Sequence, residues 1–132
     1  MTPVVVDTDV VSFLFKNDSR ARLYLPLLRG RKLLVSFMTE AELEQWILLA
    51  RWSADRVQRF HAFMVGFAAV PSSRDLILKW AEVMVAARAS GRRIEAADAW
   101  IAATALLYDA SLITHNPADY VGVPNLSVLS CA

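Results

Sequence analysis

Cysteine is almost absent from this chain of 132 residues: the one thiol, Cys131, stands next to the C-terminus. That excludes an intramolecular disulfide and any cysteine-rich zinc site. The two histidines, His61 and His115, lack the spacing of a paired metal motif, although His115, beside Asn116, is a candidate for touching a substrate. No apolar run approaches the roughly 20 residues that a membrane span requires; the longest, Ala99 to Tyr108, is broken by Thr104. No membrane partner is expected. Met1-Thr2-Pro3 leads straight into valines, without a basic start, an apolar region and a small-residue cleavage site, so no signal peptide is read and the cytoplasm is the expected compartment. Charge of one sign is also missing. A formal net charge of +1 argues against holding a nucleic acid by bulk electrostatics alone.

What is present is apolar residue, at 56% of the chain. That is ample for one core, and the length suits a single domain over residues 1–132. The surface left over is small in polar area, so a partner is expected to cover some of it. Of the 14 basic residues eleven are arginine, clustered at Arg20/Arg22, Arg29/Arg31/Lys32, Arg51/Arg56/Arg59 and Arg88/Arg92/Arg93. A planar fork that donates in pairs suits phosphate, but cations on solvated helix faces and ends need no ligand to explain them. There is no repeat, linker or low-complexity segment.

Strand-like and helix-like patterns alternate. Val4–Val6, Leu33–Val35, Ala68–Val70, Leu112–Thr114 and Leu126–Leu129 read as short strands, β-branched where they are strongest. Helices are expected over Val10–Lys16, over Ser19–Leu28 with an interruption at Pro26, from Glu40 to about Arg51, from Ser53 through Met64, from Leu76 to a stop at Gly91, and from Ala96 to Tyr108. The last is apolar on nearly all sides and is expected to be the most buried. Strands separated by helices imply an α/β fold, a three-layer α/β/α arrangement with a mainly parallel central sheet of about four or five strands.

Four acids stand beside these apolar segments: Asp7 after the valine run, Glu42 in Thr39-Glu40-Ala41-Glu42-Leu43, Asp98 at the head of the last helix, and Asp119 after Asn116-Pro117. In open parallel sheets ligands bind outside the carboxyl ends of the strands, where Asp7, Glu42 and Asp119 are expected and which Asp98 reaches if its helix points its N-terminus there. Carboxylates gathered at one edge raise one another's pKa unless a cation intervenes. A site for one or two hard divalent ions, Mg²⁺ or Mn²⁺, follows, and two such ions can activate water and stabilise both oxygens of an in-line displacement at phosphorus. Each acid also has a structural explanation. Thr39 and Glu42 match a capping box, Asp98 suits a helix dipole, Asp119 suits a turn, and either Asp7 or Asp9 could open the first helix.

Taken together, Val5-Val6-Asp7-Thr8-Asp9-Val10, Val35-Ser36-Phe37-Met38-Thr39-Glu40-Ala41-Glu42-Leu43, Asp98-Ala99-Trp100-Ile101-Ala102-Ala103-Thr104-Ala105 and Leu112-Ile113-Thr114-His115-Asn116-Pro117-Ala118-Asp119-Tyr120 resemble a PIN domain, specifically the VapC-type toxins of toxin–antitoxin pairs, over essentially the full length. The resemblance implies a Mg²⁺- or Mn²⁺-dependent ribonuclease, a homodimer, and inhibition by a cognate antitoxin whose C-terminal segment occupies the active-site groove. Asp7, Glu42 and Asp98 match the family's metal-binding acids, with Asp119 as the more variable fourth. Thr114 and Asn116 are expected in supporting hydrogen-bond roles, and whether Asn116 or Asp119 lies nearer the metal stays open. Asp9 stands where many relatives carry serine or asparagine; capping a helix that starts at Val10 is its expected duty, with a place in the site as the alternative.

Arg92 and Arg93, just upstream of Asp98, are candidates for guiding the RNA backbone. Among the tryptophans Trp52 is the one expected to stack on a base if any does. The helices Arg20–Leu28 and Glu40–Met64 are expected to wall a groove for a partner. Two other readings compete. A catalytically silent PIN-like module would bind RNA or protein without cutting, though such a module is expected to have lost one of the acids. A phosphatase resembling the haloacid dehalogenases would use Asp7 as a nucleophile, and it needs a late lysine and acid pair for which only Lys79, Asp109 and Asp119 are available.

Overall fold

The computed structural model describes residues 1–132. Its centre is β1 (Pro3–Val6), whose last three valines are fully buried. Their side chains alternate between two cores. Val5 joins the cluster that α5 (Arg74–Ala89) and α6 (Ala96–Leu107) build on one face of the sheet. Val4 and Val6 join the cluster on the other face, with residues of α1 (Thr8–Lys16), α2 (Ala21–Leu28), α3 (Phe37–Ala50) and α4 (Ala54–Met64). A strand buried on both faces needs a continuous apolar run, which is what the valines supply.

Five strands lie in the order β3-β2-β1-β4-β5, with β2 at Lys32–Ser36, β3 at Ala68–Val70, β4 at Ser111–Ile113 and β5 at Val128–Leu129. Every neighbouring pair is parallel. The chain lays β2 and β3 on one side of β1 and then crosses to place β4 and β5 on the other. The order therefore reverses between β1 and β4, and a crevice opens there at the carboxyl ends. Helix α6 is the buried one, with Ala99 and Ile101 to Ala105 inaccessible; its alanines let it lie close to both the sheet and α5.

Of the helix starts that differ from the sequence expectation, two bear on the site. Helix α1 begins at Thr8, capped by Asp7, whose carboxylate accepts from the Thr8 amide at 2.8 Å, so Asp9 lies inside the first turn and is not its cap. Helix α3 begins at Phe37, capped by Ser36, which accepts from Met38 N at 3.0 Å. Thr39 is thus a buried helical residue and the capping box with Glu42 does not form. In both places the cap is the residue at which the strand ladder ends: Asp7 N still donates to Ile113 O, and Ser36 still pairs with Val70. Helix α2 also runs through Pro26 to Leu28 without breaking. The bond Pro26 cannot donate would have gone to the carbonyl of Arg22, an exposed residue that solvent can serve.

Candidate active-site cleft

Asp7, Asp9, Glu42, Asp98, Asn116 and Asp119 all line one open cleft of about 330 Å³ at the carboxyl edge of the sheet. The expected convergence of the four principal acids is therefore found, and Asp9 joins them. Asp7 stands at the end of β1, Glu42 six residues into α3, Asp98 in the first turn of α6, and Asp119 in a short 3₁₀ turn, Pro117–Tyr120, that follows β4. Thr8 and Ser12 of α1 and Leu43 and Trp46 of α3 complete the lining. No lysine or arginine is among these residues.

Asp7 is the deepest of the acids, 7% exposed. One of its oxygens accepts from the Thr114 hydroxyl at 2.8 Å and from the Tyr120 hydroxyl at 2.9 Å. Burial, and secondarily the charge of Asp9, push its pKa up from 3.8 to about 7, against the pull of these hydroxyls and the Thr8 amide. Asp98, half-buried, is pushed up to about 6 by desolvation and by Asp119, Glu42 and Glu95. Tyr120 is raised well above its ordinary range by burial and by Asp7 and Asp98, so it is a donor at any working pH. Glu42 Oε1 takes the Thr8 hydroxyl at 2.8 Å, and Thr8 Oγ1 lies 3.0 Å from Thr39 Oγ1, which fixes α1 against α3.

Asp9 has a second duty. Its Oδ2 accepts from the backbone amide of His115 at 3.0 Å and from the side-chain amide of Asn116 at 2.7 Å, while Oδ1 takes the Val10 amide. It thereby ties the segment after β4 to α1, and burial raises its pKa. Asn116 spends its amide on Asp9, and its backbone N–H donates to Thr114 Oγ1 at 3.1 Å. Asp119 shares the cleft with Asp98 and lies near enough for its charge to raise the Asp98 pKa. His115 is packed edge-on against Phe13 and hydrogen-bonded through Nδ1 to Tyr24, a placement that holds the ring inside the fold rather than in the cleft.

No three acid, histidine or cysteine side chains stand arranged as a ready-made cage for an ion. The innermost carboxylates turn to hydroxyl donors instead. The donor set still suits a hard divalent cation: all the charged atoms are carboxylate oxygens, no cationic side chain lines the cleft, and burial, with neighbouring carboxylates adding to it at Asp7 and Asp98, raises the pKa of Asp7, Asp9 and Asp98.

Arg92 and Arg93 do not enter this cleft. Arg93 lines a neighbouring hollow with Arg88 and Glu95 at the end of α5, and the carbonyl of Arg92 is packed against Gly122, where an added Cβ would come within 2.4 Å. Trp52 is also outside, taken up by Phe15 and by the Arg56 guanidinium 4.0 Å from its ring centre. Thr8, Tyr120 and Trp46 were not singled out from the sequence. Trp46 was within reach of sequence reasoning, since it follows Glu42 by four residues and so shares its helix face. Lys79, the residue a dehalogenase-like phosphatase would need, pairs with Glu82 along α5 at 3.4 Å and lines a separate hollow with Asp109.

This fold and this edge of acids define a class: residues 4–119 match the PIN domain, and the chain belongs to that family. Among curated proteins it is similar to Ribonuclease VapC1 of Haemophilus influenzae strain R2866, 28% identical over an alignment of 127 residues that covers 92% of each chain. Among solved structures it resembles VapBC2 from Rickettsia felis bound to a DNA fragment from their promoter, with a TM-score of 0.84, 18% identity and 98% of both chains covered. VapBC-1 from nontypeable Haemophilus influenzae matches with a TM-score of 0.82 at 24% identity, again over 98% of both chains. VapBC-5 from Mycobacterium tuberculosis, a member of the VapBC family of toxin–antitoxin systems, matches at 0.69 and 25% identity over 98% of each. No helix is long and apolar enough to cross a membrane.

Proposed function

We propose that this chain is the toxin of a VapBC-type toxin–antitoxin pair, an endoribonuclease that hydrolyses RNA phosphodiester bonds in the cytoplasm with Mg²⁺ or Mn²⁺. The observation that carries the reading is the cleft itself: a PIN domain whose four motif acids are all present and all face one opening at the strand ends. A silent binding module would have no use for so costly a concentration of carboxylates.

Asp7, Glu42, Asp98 and Asp119 are the residues that would hold the metal. A bound divalent cation supplies Lewis acidity, making water a stronger nucleophile and offsetting negative charge at phosphorus. The chain's own contribution is orientation. Thr114 and Tyr120 fix the rotamer of Asp7, Thr8 fixes Glu42, and Asp9 anchors the turn that carries Asp119. Tyr120 donates its hydroxyl hydrogen to Asp7 and so favours the charged form of the carboxylate that would bind the ion.

The similarity to VapBC complexes supports an antitoxin partner. An apolar groove between α1, α2 and α4, lined by Leu14, Leu25, Leu28, Leu33, Phe63 and Phe67, suits its apolar segment, and two of the helices that form it were expected as walls. A second copy of the chain is the natural cover for the exposed stripe Ile77, Ala81 and Val85 on α5.

The test is digestion of total cellular RNA by the purified protein with Mg²⁺, Mn²⁺ or EDTA, beside folded Asp7→Asn and Asp98→Asn proteins. Discrete fragments that need metal and vanish in both variants are expected. Absence of cleavage by antitoxin-free wild type under every metal would assign the chain to binding alone.

A further inference from the structure

The ribonuclease reading leaves one side chain of the cleft without a task. Of the lining residues only Leu43 and Trp46 are apolar, and Leu43 is 2% exposed. Trp46, half-buried where it packs against the core, is therefore the only apolar surface the cleft offers to a ligand. It lies four residues beyond Glu42 on α3, hence on the same face and about 6 Å further along the axis, a displacement on the order of one nucleotide.

The ring is held in place rather than free to swing. Trp52 meets it edge-on with centroids 4.8 Å apart, and the exposed Lys16 lays its ammonium over one ring face, 4.2 Å from the centre, in the place a stacked base would take. Only this contact with the ring holds Lys16, which forms no ion pair with any carboxylate, so its flexible side chain can give up the ring face to a base and carry its charge to a phosphate at the rim. A cleft walled by carboxylates repels a polyanion, so affinity for RNA has to come from contacts beside the acids. A fixed indole face that Lys16 can exchange for a base, with the lysine charge then free for a phosphate, meets both the π-face and the phosphate of a single-stranded nucleotide.

We propose that Trp46 is the nucleobase platform of this cleft, stacking on the base next to the phosphate that is cut, with Lys16 meeting the adjoining phosphate. The inference rests on the ribonuclease reading and names the substrate contact within that site. Stacking is tolerant of base identity, so the platform sets affinity and register for single-stranded RNA, and sequence choice arises elsewhere.

The experiment uses an RNA oligonucleotide carrying a cleavage site mapped on total RNA, with steady-state kinetics in Mg²⁺. Loss of one stacked base is worth roughly 5- to 150-fold in binding, so Trp46→Leu is expected to raise KM about tenfold while kcat moves far less. Trp46→Phe, which keeps a π-face, is expected to remain within about threefold of wild type, and thermal melts establish that both variants fold. Replacing the base beside the cut by an abasic nucleotide is expected to weaken the wild type as Trp46→Leu does, and to leave Trp46→Leu unchanged. An unaltered KM in Trp46→Leu overturns the proposal. So does a loss in Trp46→Phe as large as in Trp46→Leu, which would indicate packing, or abasic and Trp46 effects that multiply. Failure of the wild type to cut any RNA removes the ribonuclease reading and this inference with it, an outcome distinct from the others because it appears before any variant is compared.

Discussion

Replacing Asp7 by Asn should stabilise the metal-free protein, and by an amount that grows with pH. In the folded chain Asp7 keeps its proton up to about pH 7, whereas the unfolded carboxyl releases it near 3.8. Between those values the folded state binds more protons than the unfolded one, so stability falls as pH rises through the window and levels off above it. The full shift corresponds to about 4 kcal/mol of stability withheld once Asp7 is ionised, of which about 2 kcal/mol is already lost at pH 5. Asn has nearly the same shape and can still accept from the Thr8 amide while the Thr114 and Tyr120 hydroxyls reorient toward its NH₂ group. Whatever that exchange of hydrogen bonds is worth, it does not titrate.

The difference in stability between variant and wild type should therefore widen by about 3 kcal/mol from pH 5 to pH 8, which for a chain of this size is roughly 10 °C in the difference of Tm. Thermal melts in EDTA at several pH values measure it. Saturating Mg²⁺ should then reverse the order at pH 8, because the wild type gains binding free energy that the variant lacks. A pH-independent difference between the two proteins in EDTA would refute the reasoning, since it would mean that Asp7 ionises in the fold as easily as in the unfolded chain.

Tyr120→Phe removes one of two hydroxyls from a buried carboxylate and should destabilise the protein by about 1–2 kcal/mol at pH 8 and by less at pH 5, measured by urea denaturation. Asp9→Ala deletes the acceptor of the His115 amide and of the Asn116 side chain, so hydrogen exchange at residues 115–119 should accelerate. In the same variant the pKa of Asp7 should fall, because Asp9 is the charge that raises it, and an NMR titration reads that shift. Gly122→Ala would place a Cβ 2.4 Å from the Arg92 carbonyl oxygen and should cost about 1–3 kcal/mol in thermal stability, with the connection into α6 disturbed.

The order of the strands and helices was legible because the chain states it in period and composition: Val4–Val6 can only be a strand buried on two faces, and the stretch from Ala99 to Ala105 can only be an interior helix. The two misplaced helix starts at the site share one cause. Asp7 and Asp9 are equal as caps by residue type, and Ser36 and Thr39 are both among the favoured ones. The choice depends on where the ladder lets go of the strand, and that is settled by Ile113 and Val70, distant in sequence. The acids of the cleft were visible because they flank apolar runs. The hydroxyls that hold them were not, since Thr8 and Tyr120 acquire their partners only when α1, α3 and the turn after β4 meet. Arg92 and Arg93, candidates for guiding the RNA backbone, lie outside the cleft lining for the same reason: nearness in sequence to Asp98 says nothing of which side of α6 the preceding loop takes, and Arg92 in that loop packs against Gly122.

The two perturbed carboxylates make a further statement about metal binding that does not depend on which RNA is cut. Asp98 at about 6 and Asp7 at about 7 together carry close to one proton near pH 6.5 and almost none at pH 8.5 in the ion-free protein. A cation held by both groups must displace whatever protons they carry. Calorimetric titration of Mn²⁺ into the protein, repeated in buffers of different ionisation enthalpy, should thus find about one proton released per site at pH 6.5 and close to none at pH 8.5, with apparent affinity rising between them. In Asp7→Asn, if binding remains measurable, the release at pH 6.5 should drop to a small fraction of a proton, because Asp7 holds most of it. Equal proton release at both pH values would show that the ion leaves these carboxylates alone, and the metal site would have to be sought among other residues.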